Sequence, residues 1–103
     1  RGDLDGAQRA FERALAADDR SASAHGGLAR VEFERGRYVI AIRHATRAVR
    51  SSPKDAELRI LLGDALYKSY RYAEARDQYA KAKELGHRDA GARITKANAK
   101  LAG

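Results

Sequence analysis

The sequence predicts an all-α fold, a solenoid of antiparallel helix pairs with about six helices, and three observations support this. The chain repeats with a 34-residue period, which is typical of stacked repeat proteins. Among its 103 residues there is one proline, and helix-forming alanine, arginine, leucine and glutamate dominate. Short polar stretches recur at the same interval and separate segments whose apolar residues follow helical spacing.

The period is visible when residues 22–55 are laid over residues 56–89 without a gap. The identical pairs are Ala22/Ala56, Leu28/Leu62, Arg37/Arg71, Tyr38/Tyr72, Ala41/Ala75, Ala48/Ala82 and Asp55/Asp89. Repeats of this length stack on one another and usually present a curved surface to a partner. The period therefore favours a binding protein over an enzyme.

Polar breaks and apolar spacing together predict where each helix begins and ends. Helices are expected at about 3–17, 22–35, 37–51, 56–69, 71–85 and 90–101. The side chains of Ser21, Asp55 and Asp89, each 34 residues from the next, are predicted N-caps. Weaker breaks fall at Gly2 and Gly36, where glycine permits a positive φ. Tyr70 holds the matching position in the next copy, and we expect the turn there either to differ in conformation or to carry backbone strain.

Two motifs recur within the repeats. The third copy reads Arg59-x2-Leu62-Gly63-x2-Leu66 and then Ala75-x3-Tyr79-x2-Ala82, and the middle copy reads His25-x2-Leu28-Ala29-x2-Glu32, then Ala41-x3-Ala45-x2-Ala48 and Pro53. This resembles the tetratricopeptide repeat (TPR) family, whose pattern runs Trp-x2-Leu-Gly-x2-Tyr, then Ala-x3-Phe, then Pro. This sequence departs from the family pattern at three positions. The Trp position holds His25 and Arg59, the Tyr position holds Glu32, and the Pro position holds His87 in the third copy.

The resemblance implies a single domain over residues 1–103 in a right-handed superhelical stack. We expect residues 1–21 to be the second helix of a truncated repeat and residues 90–103 to be a capping helix or a partial repeat. Residues 22–55 and 56–89 are expected to be complete repeats. On this interpretation the chain is a piece of a larger, bacterial TPR protein.

The resemblance also implies that the first helix of each pair lines a concave groove that receives a peptide or a partner protein. The matching positions are Gly26, Arg30, Phe33, Ile60, Asp64, Tyr67, Ile94, Asn98 and Leu101. Phe33 and Tyr67 are candidate anchors for a partner side chain, or else ordinary packing between repeats. Gly26 and Gly27 predict a shallow notch beside Phe33. One TPR subtype clamps a C-terminal carboxylate with Lys and Asn residues in this groove. The matching positions here hold Gly26 with Arg30 and Ile60 with Asp64, so that clamp is absent.

The net charge of +7 and the isoelectric point of about 10.1 leave a second interpretation open. Arg43, Arg47 and Arg50 lie on one helix face, beside His44, and would form a basic stripe on the convex side. That stripe could contact nucleic acid or an acidic partner, although a solvated face explains it as well. A third interpretation is a regulatory module attached to a catalytic domain outside this sequence.

Catalysis, metals and cofactors are not expected. His25 and His44 fall on different predicted helices and His87 falls in a turn, without metal-ligand spacing; there is no cysteine, and no glycine-rich phosphate loop occurs. No apolar run approaches the roughly 20 residues of a membrane span, and a cytoplasmic location is favoured with a periplasmic one left open. Leu4 and Phe11, on the unpaired first helix, predict a surface for self-association.

Overall fold

The computed structural model describes residues 3–103, which form six α-helices and no strand. The helices are α1 (Leu4–Ala17), α2 (Ala22–Glu34), α3 (Tyr38–Ser51), α4 (Ala56–Lys68), α5 (Tyr72–Glu84) and α6 (Ala90–Ala102). The predicted break at Gly2 lies outside the described residues. Within residues 3–103, no helix is long and apolar enough to cross a bilayer, and no group of three potential ligands could hold a metal ion.

The helix starts follow local side-chain chemistry in two of the three predicted places. The side-chain oxygens of Ser21 and Asp55 accept hydrogen bonds from backbone N–H groups three residues ahead, at 3.1 and 3.3 Å. The prediction for Asp89 is wrong, because its carboxylate makes no capping bond. The Asp89 backbone is already helical (φ −90°, ψ −7°), whereas an N-cap needs an extended one. Its own N–H donates to Nδ1 of His87 at 3.1 Å.

The turns inside the two complete pairs have the same left-handed conformation. Gly36 adopts φ +77°, and Tyr70, at the matching position, adopts φ +66°. A positive φ is uncommon for a residue that carries a Cβ atom, so the predicted strain at Tyr70 is present. The side chain of Tyr70 is 79% exposed, and therefore little packing offsets that strain.

Each helix packs against the next one in the chain, and α2 also contacts α4, so the pairs stack in sequence order along a body of 42 × 26 × 19 Å. The helices approach closely because the crossing points carry small residues that are fully buried, among them Ala29, Ala41 and Ala75. Larger residues from α4, including Leu58, Leu62 and Leu66, occupy the space between the pairs.

Two glycines of α2, Gly26 and Gly27, are covered by side chains from neighbouring helices. A Cβ atom on Gly27 would lie 2.3 Å from the Phe11 ring, and one on Gly26 would lie 2.9 Å from Leu58. The predicted notch beside Phe33 is therefore filled by these two side chains. Phe11 is half-buried in this contact, so α1 is held against α2.

The crossing of α4 and α5 should not accept a methyl group at Gly63. A Cβ atom there would lie 2.5 Å from Cε1 of the buried Tyr79 ring. We expect Gly63→Ala to lower the free energy of unfolding by about 1–2 kcal/mol, because overpacking outweighs the gain in helix propensity. Gly91→Ala is the matched control, since a Cβ atom on Gly91 would meet nothing within 4 Å. It should be neutral or stabilising in urea denaturation, and equal losses for both variants would contradict the packing argument.

A polar cluster is buried between α2 and α3. His25 is 4% exposed and Glu32 is 6% exposed, and the rings of His25 and His44 stack with centroids 6.1 Å apart. Nδ1 of each histidine is buried without a hydrogen-bond partner. Burial lowers the pKa of His44 from its ordinary 6.5, the neighbouring His25, Arg47 and Arg43 lower it further, and Glu32 opposes them.

Acidification should therefore weaken the fold through His44. The unfolded chain binds a proton at His44 more readily than the folded chain does, so the contribution of His44 to the free energy of unfolding is fully present above pH 6.5. This contribution is lost as the pH drops through 6.5 towards the lower pKa of His44 in the folded chain. Chemical denaturation at pH values from 7.5 to about 5 measures this loss, and His44→Gln should flatten the curve. An unchanged slope in the variant would show that the effect arises elsewhere.

Candidate functional site

A cavity of about 440 Å³ lies between α2, α4 and α6. Three helices supply the wall around α4: Phe33 comes from α2, Tyr79 comes from α5, and α4 itself supplies Asp64, Tyr67 and Lys68. The other side is formed by the start of α6 and the residue before it, with Asp89, Ala92, Arg93 and Lys96. We call this cavity the groove pocket. It arises because the C-terminal halves of α2 and α4 lie side by side and the N-terminal half of α6 lies next to α4.

Two aromatic rings form the apolar wall of the groove pocket. The Tyr67 ring meets Tyr72 edge to face at a centroid distance of 5.0 Å, and the Phe33 ring meets Tyr38 in the same way at 5.2 Å. Both Phe33 and Tyr67 are half-buried. Each ring therefore packs within its own helix pair and also turns part of its surface to the cavity.

Asp64 is engaged by the protein itself. It accepts hydrogen bonds from the Tyr79 hydroxyl at 2.6 Å and from Arg93 Nε at 2.8 Å, and Arg93 Nη2 lies 3.2 Å from its second oxygen. Burial, and then the bond to Asp64, raise the pKa of the Tyr79 phenol, which therefore stays protonated and donates. Desolvation lowers the Arg93 pKa, but the bond to Asp64 and its charge outweigh this and raise it overall.

The remaining charges at the rim are mostly positive. Lys96 Nζ lies 6.0 Å from the centroid of the Tyr67 ring. Neither Lys96 nor Lys68 forms an ion pair in residues 3–103. With Asp64 and Arg93 paired to each other, the only other acid in the lining is Asp89. An open apolar wall beside unpaired ammonium groups can hold an apolar side chain that has acidic neighbours.

The structure brings together only part of the residue set predicted for this face. Phe33, Asp64 and Tyr67 line the groove pocket. Three others are exposed on α2 and α6 without lining it, and these are Arg30, Asn98 and Leu101. Ile94 is half-buried against the core.

Two predicted residues do not face the groove. Gly26 is buried under Leu58, and Ile60 is 5% exposed within the core, so neither can reach a partner from these positions. Gly26 and Ile60 are 34 residues apart, so this position of the repeat is buried in both α2 and α4.

Six lining residues were missed from the sequence, namely Lys68, Tyr79, Asp89, Ala92, Arg93 and Lys96. Tyr79 occupies the Phe position of the repeat motif, and only its hydroxyl group distinguishes it from a purely packing residue. That hydroxyl was a usable signal, because a buried tyrosine usually finds a hydrogen-bond partner.

Comparisons with solved structures show the same architecture. The first TPR of Spaghetti (RPAP3), bound to the HSP90 peptide SRMEEVD, is 20% identical with a TM-score of 0.93, over 99% of this chain and 82% of that one. The Yersinia enterocolitica chaperone SycD, in complex with a peptide of the translocator YopD, is 17% identical with a TM-score of 0.88, over 97% and 83%. MamA is 25% identical with a TM-score of 0.91; the chain is covered over 98% and spans 60% of MamA.

Sequence comparison agrees with the structural one. A tetratricopeptide repeat profile matches residues 32–101, and a second profile of the same description matches residues 1–42. No curated protein sequence matches the chain. The profile matches cover the period, the small crossing residues and the turns described above. The chain belongs to the tetratricopeptide repeat family, and its fold is the right-handed helical-pair solenoid of that family.

Proposed function

We propose that this chain is a non-catalytic protein-interaction module that binds a peptide segment of a partner protein in the groove pocket. The observation that carries the proposal is the half-buried Tyr67 ring, which faces an open cavity under Lys96. The Spaghetti and SycD structures, each solved with a peptide, support a groove of this shape as a peptide site. Because both are at most 20% identical in sequence to this chain, their particular peptides are not assigned to it.

The charges of the lining refine the chemistry expected of that peptide. Asp64 is held by Tyr79 and Arg93, so it is not free to attract a cationic partner. Among the described residues, the lining keeps two unpaired cations, Lys68 and Lys96, and one unpaired acid, Asp89. We infer that the bound segment carries an apolar or aromatic side chain flanked by aspartate or glutamate.

Selection from a random 12-residue peptide library, displayed against the wild-type chain, provides defined ligands for the test. Tyr67→Ala should weaken binding of a selected peptide by about 1–3 kcal/mol, as removal of an aromatic anchor does. Titration calorimetry measures this, and thermal denaturation of the same variant separates binding from packing. Arg43→Ala, an exposed change on α3, should leave affinity within about twofold.

The result also distinguishes the second candidate function. Arg43, Arg47 and Arg50 are exposed on α3, and the second candidate is that this stripe binds nucleic acid or an acidic partner. If Arg43→Ala weakens the selected peptides and Tyr67→Ala does not, the partner lies on that stripe and the groove proposal fails. Self-association through Leu4 and Phe11 stays a separate proposal, and the contact of Phe11 with Gly27 reduces the apolar surface available for it.

A further inference from the structure

A second cavity, of about 660 Å³, lies between the α1–α2 turn and the C-terminal half of α3, and it shares no residue with the groove pocket. Arg20 contributes from the turn, Arg47 and Arg50 from α3, and His25 from the first turn of α2. Asp19 and Ser51 complete the lining. We call this cavity the arginine pocket.

The three guanidinium groups of the arginine pocket have no protein partner. Arg20, Arg47 and Arg50 form no ion pair and no side-chain hydrogen bond within residues 3–103. Like charges that share one concavity repel each other, and a bound anion relieves that repulsion. Arg50 also stands in the last turn of α3, where it offsets the negative end of that helix.

The wall on the α2 side is formed at the start of that helix. The first turn of α2 contains no acidic residue, and the acids nearest to its positive end in the sequence are Asp18 and Asp19, just ahead of it. His25, which is 4% exposed, lines the pocket; its Nε2 lies 3.0 Å from the Asp19 carbonyl oxygen, and its Nδ1 has no partner. Because Nε2 donates to the Asp19 carbonyl oxygen and Nδ1 is buried, the donors that the pocket offers an anion are its three guanidinium groups.

We propose that the arginine pocket binds one oxyanion of the phosphate type, either free phosphate or a phosphate monoester on a protein side chain. Guanidinium groups bind such tetrahedral anions through paired N–H donors, which fits a site built from three arginines. The pocket suits a single compact anion, because Asp19 lies in its lining and Asp18 precedes it, interrupting any continuous basic track for a polyanion. The proposal is independent of the groove pocket.

The test is an NMR titration of the full chain with sodium phosphate and, separately, with a phosphoserine peptide and its unphosphorylated form, at constant ionic strength set by sodium chloride. We expect saturable shifts of the amides of residues 19–25 and 47–51 and of the His25 ring. Arg47→Gln should weaken binding about tenfold or more. Arg43→Gln, one turn earlier on the same helix and outside the pocket, should change it by about twofold at most.

Comparing the titration with sodium phosphate and the titration with the phosphoserine peptide distinguishes the two sources of the phosphate group. Tighter binding of the phosphopeptide than of inorganic phosphate would assign the pocket to a modified protein segment, and equal binding would assign it to the free anion. No saturable shift with either, or equal losses in Arg43→Gln and Arg47→Gln, would overturn the proposal. The proposal would also be overturned if a short DNA duplex bound more tightly than phosphate and its affinity fell with salt as steeply as several phosphate contacts require, because that would indicate a surface for a polyanion.

Discussion

Replacing Tyr79 by alanine is expected to lower the free energy of unfolding by about 3–5 kcal/mol, a large part of the stability of a domain of this size. The Tyr79 side chain is 2% exposed, and its ring lies directly on Gly63 at the crossing of α4 and α5. Its removal opens a cavity in the core and also leaves Asp64 with Arg93 as the one remaining residue that donates to its carboxylate. Urea denaturation monitored by circular dichroism measures the loss.

The Tyr79→Phe variant separates the ring from the hydroxyl group. It keeps the contact with Gly63 and removes only the 2.6 Å bond to Asp64, so a smaller loss of about 1–2 kcal/mol is expected. Arg93 continues to satisfy the carboxylate, which limits the damage. If Tyr79→Ala and Tyr79→Phe were equally destabilising, the hydrogen bond and not the packing would dominate at this crossing.

Replacing Arg35 by alanine is the second change with a large expected effect, about 3 kcal/mol. Arg35 ties two helices together: its guanidinium bonds to Gln8 at 2.7 Å and to Asp5 on α1, and lies 3.4 Å from Glu32. The Glu32 side chain is only 8% exposed, so losing Arg35 leaves a buried carboxylate with a single distant partner, Arg37 at 3.6 Å. An uncompensated buried charge is strongly destabilising.

Two further variants make the Arg35 prediction specific. Arg37→Ala removes a cation whose side chain is 59% exposed, and it should lower stability by less than about 1 kcal/mol. In the Arg35→Ala background, Glu32→Leu should restore much of the lost stability, because it removes the buried charge. Thermal denaturation of the four proteins checks both points. A loss in Arg35→Ala no larger than in Arg37→Ala would contradict the role given to the buried carboxylate.

The helices could be predicted from the sequence because the signals that define them are local. Apolar spacing and turn residues placed each of the twelve helix ends within one residue of where it lies. The same local chemistry identified the caps at Ser21 and Asp55 and the strained turn at Tyr70. It was wrong at Asp89, whose backbone is already helical and whose carboxylate makes no capping bond, because residue type alone does not give the backbone conformation.

The groove could be predicted only in part, because periodicity indicates the face of a residue and not its depth or its partner. The register placed Phe33 and Tyr67 on the same side, where they now line one cavity. It also placed Ile60 there, although this residue sinks into the core. The bond between Asp64 and Arg93 joins residues 29 positions apart, which is not the repeat length, so the period carried no sign of it.

The most direct test of the account is the map of amide chemical shifts when a library-selected peptide is added to the isotopically labelled chain. If the groove pocket is the peptide site, the largest changes should fall on residues 64–68 and 92–96 and on Phe33. Those changes should disappear in Tyr67→Ala and persist in Arg43→Ala. A map centred on residues 43–51, with residues 64–68 unaffected, would contradict the account and place the partner on the basic face of α3.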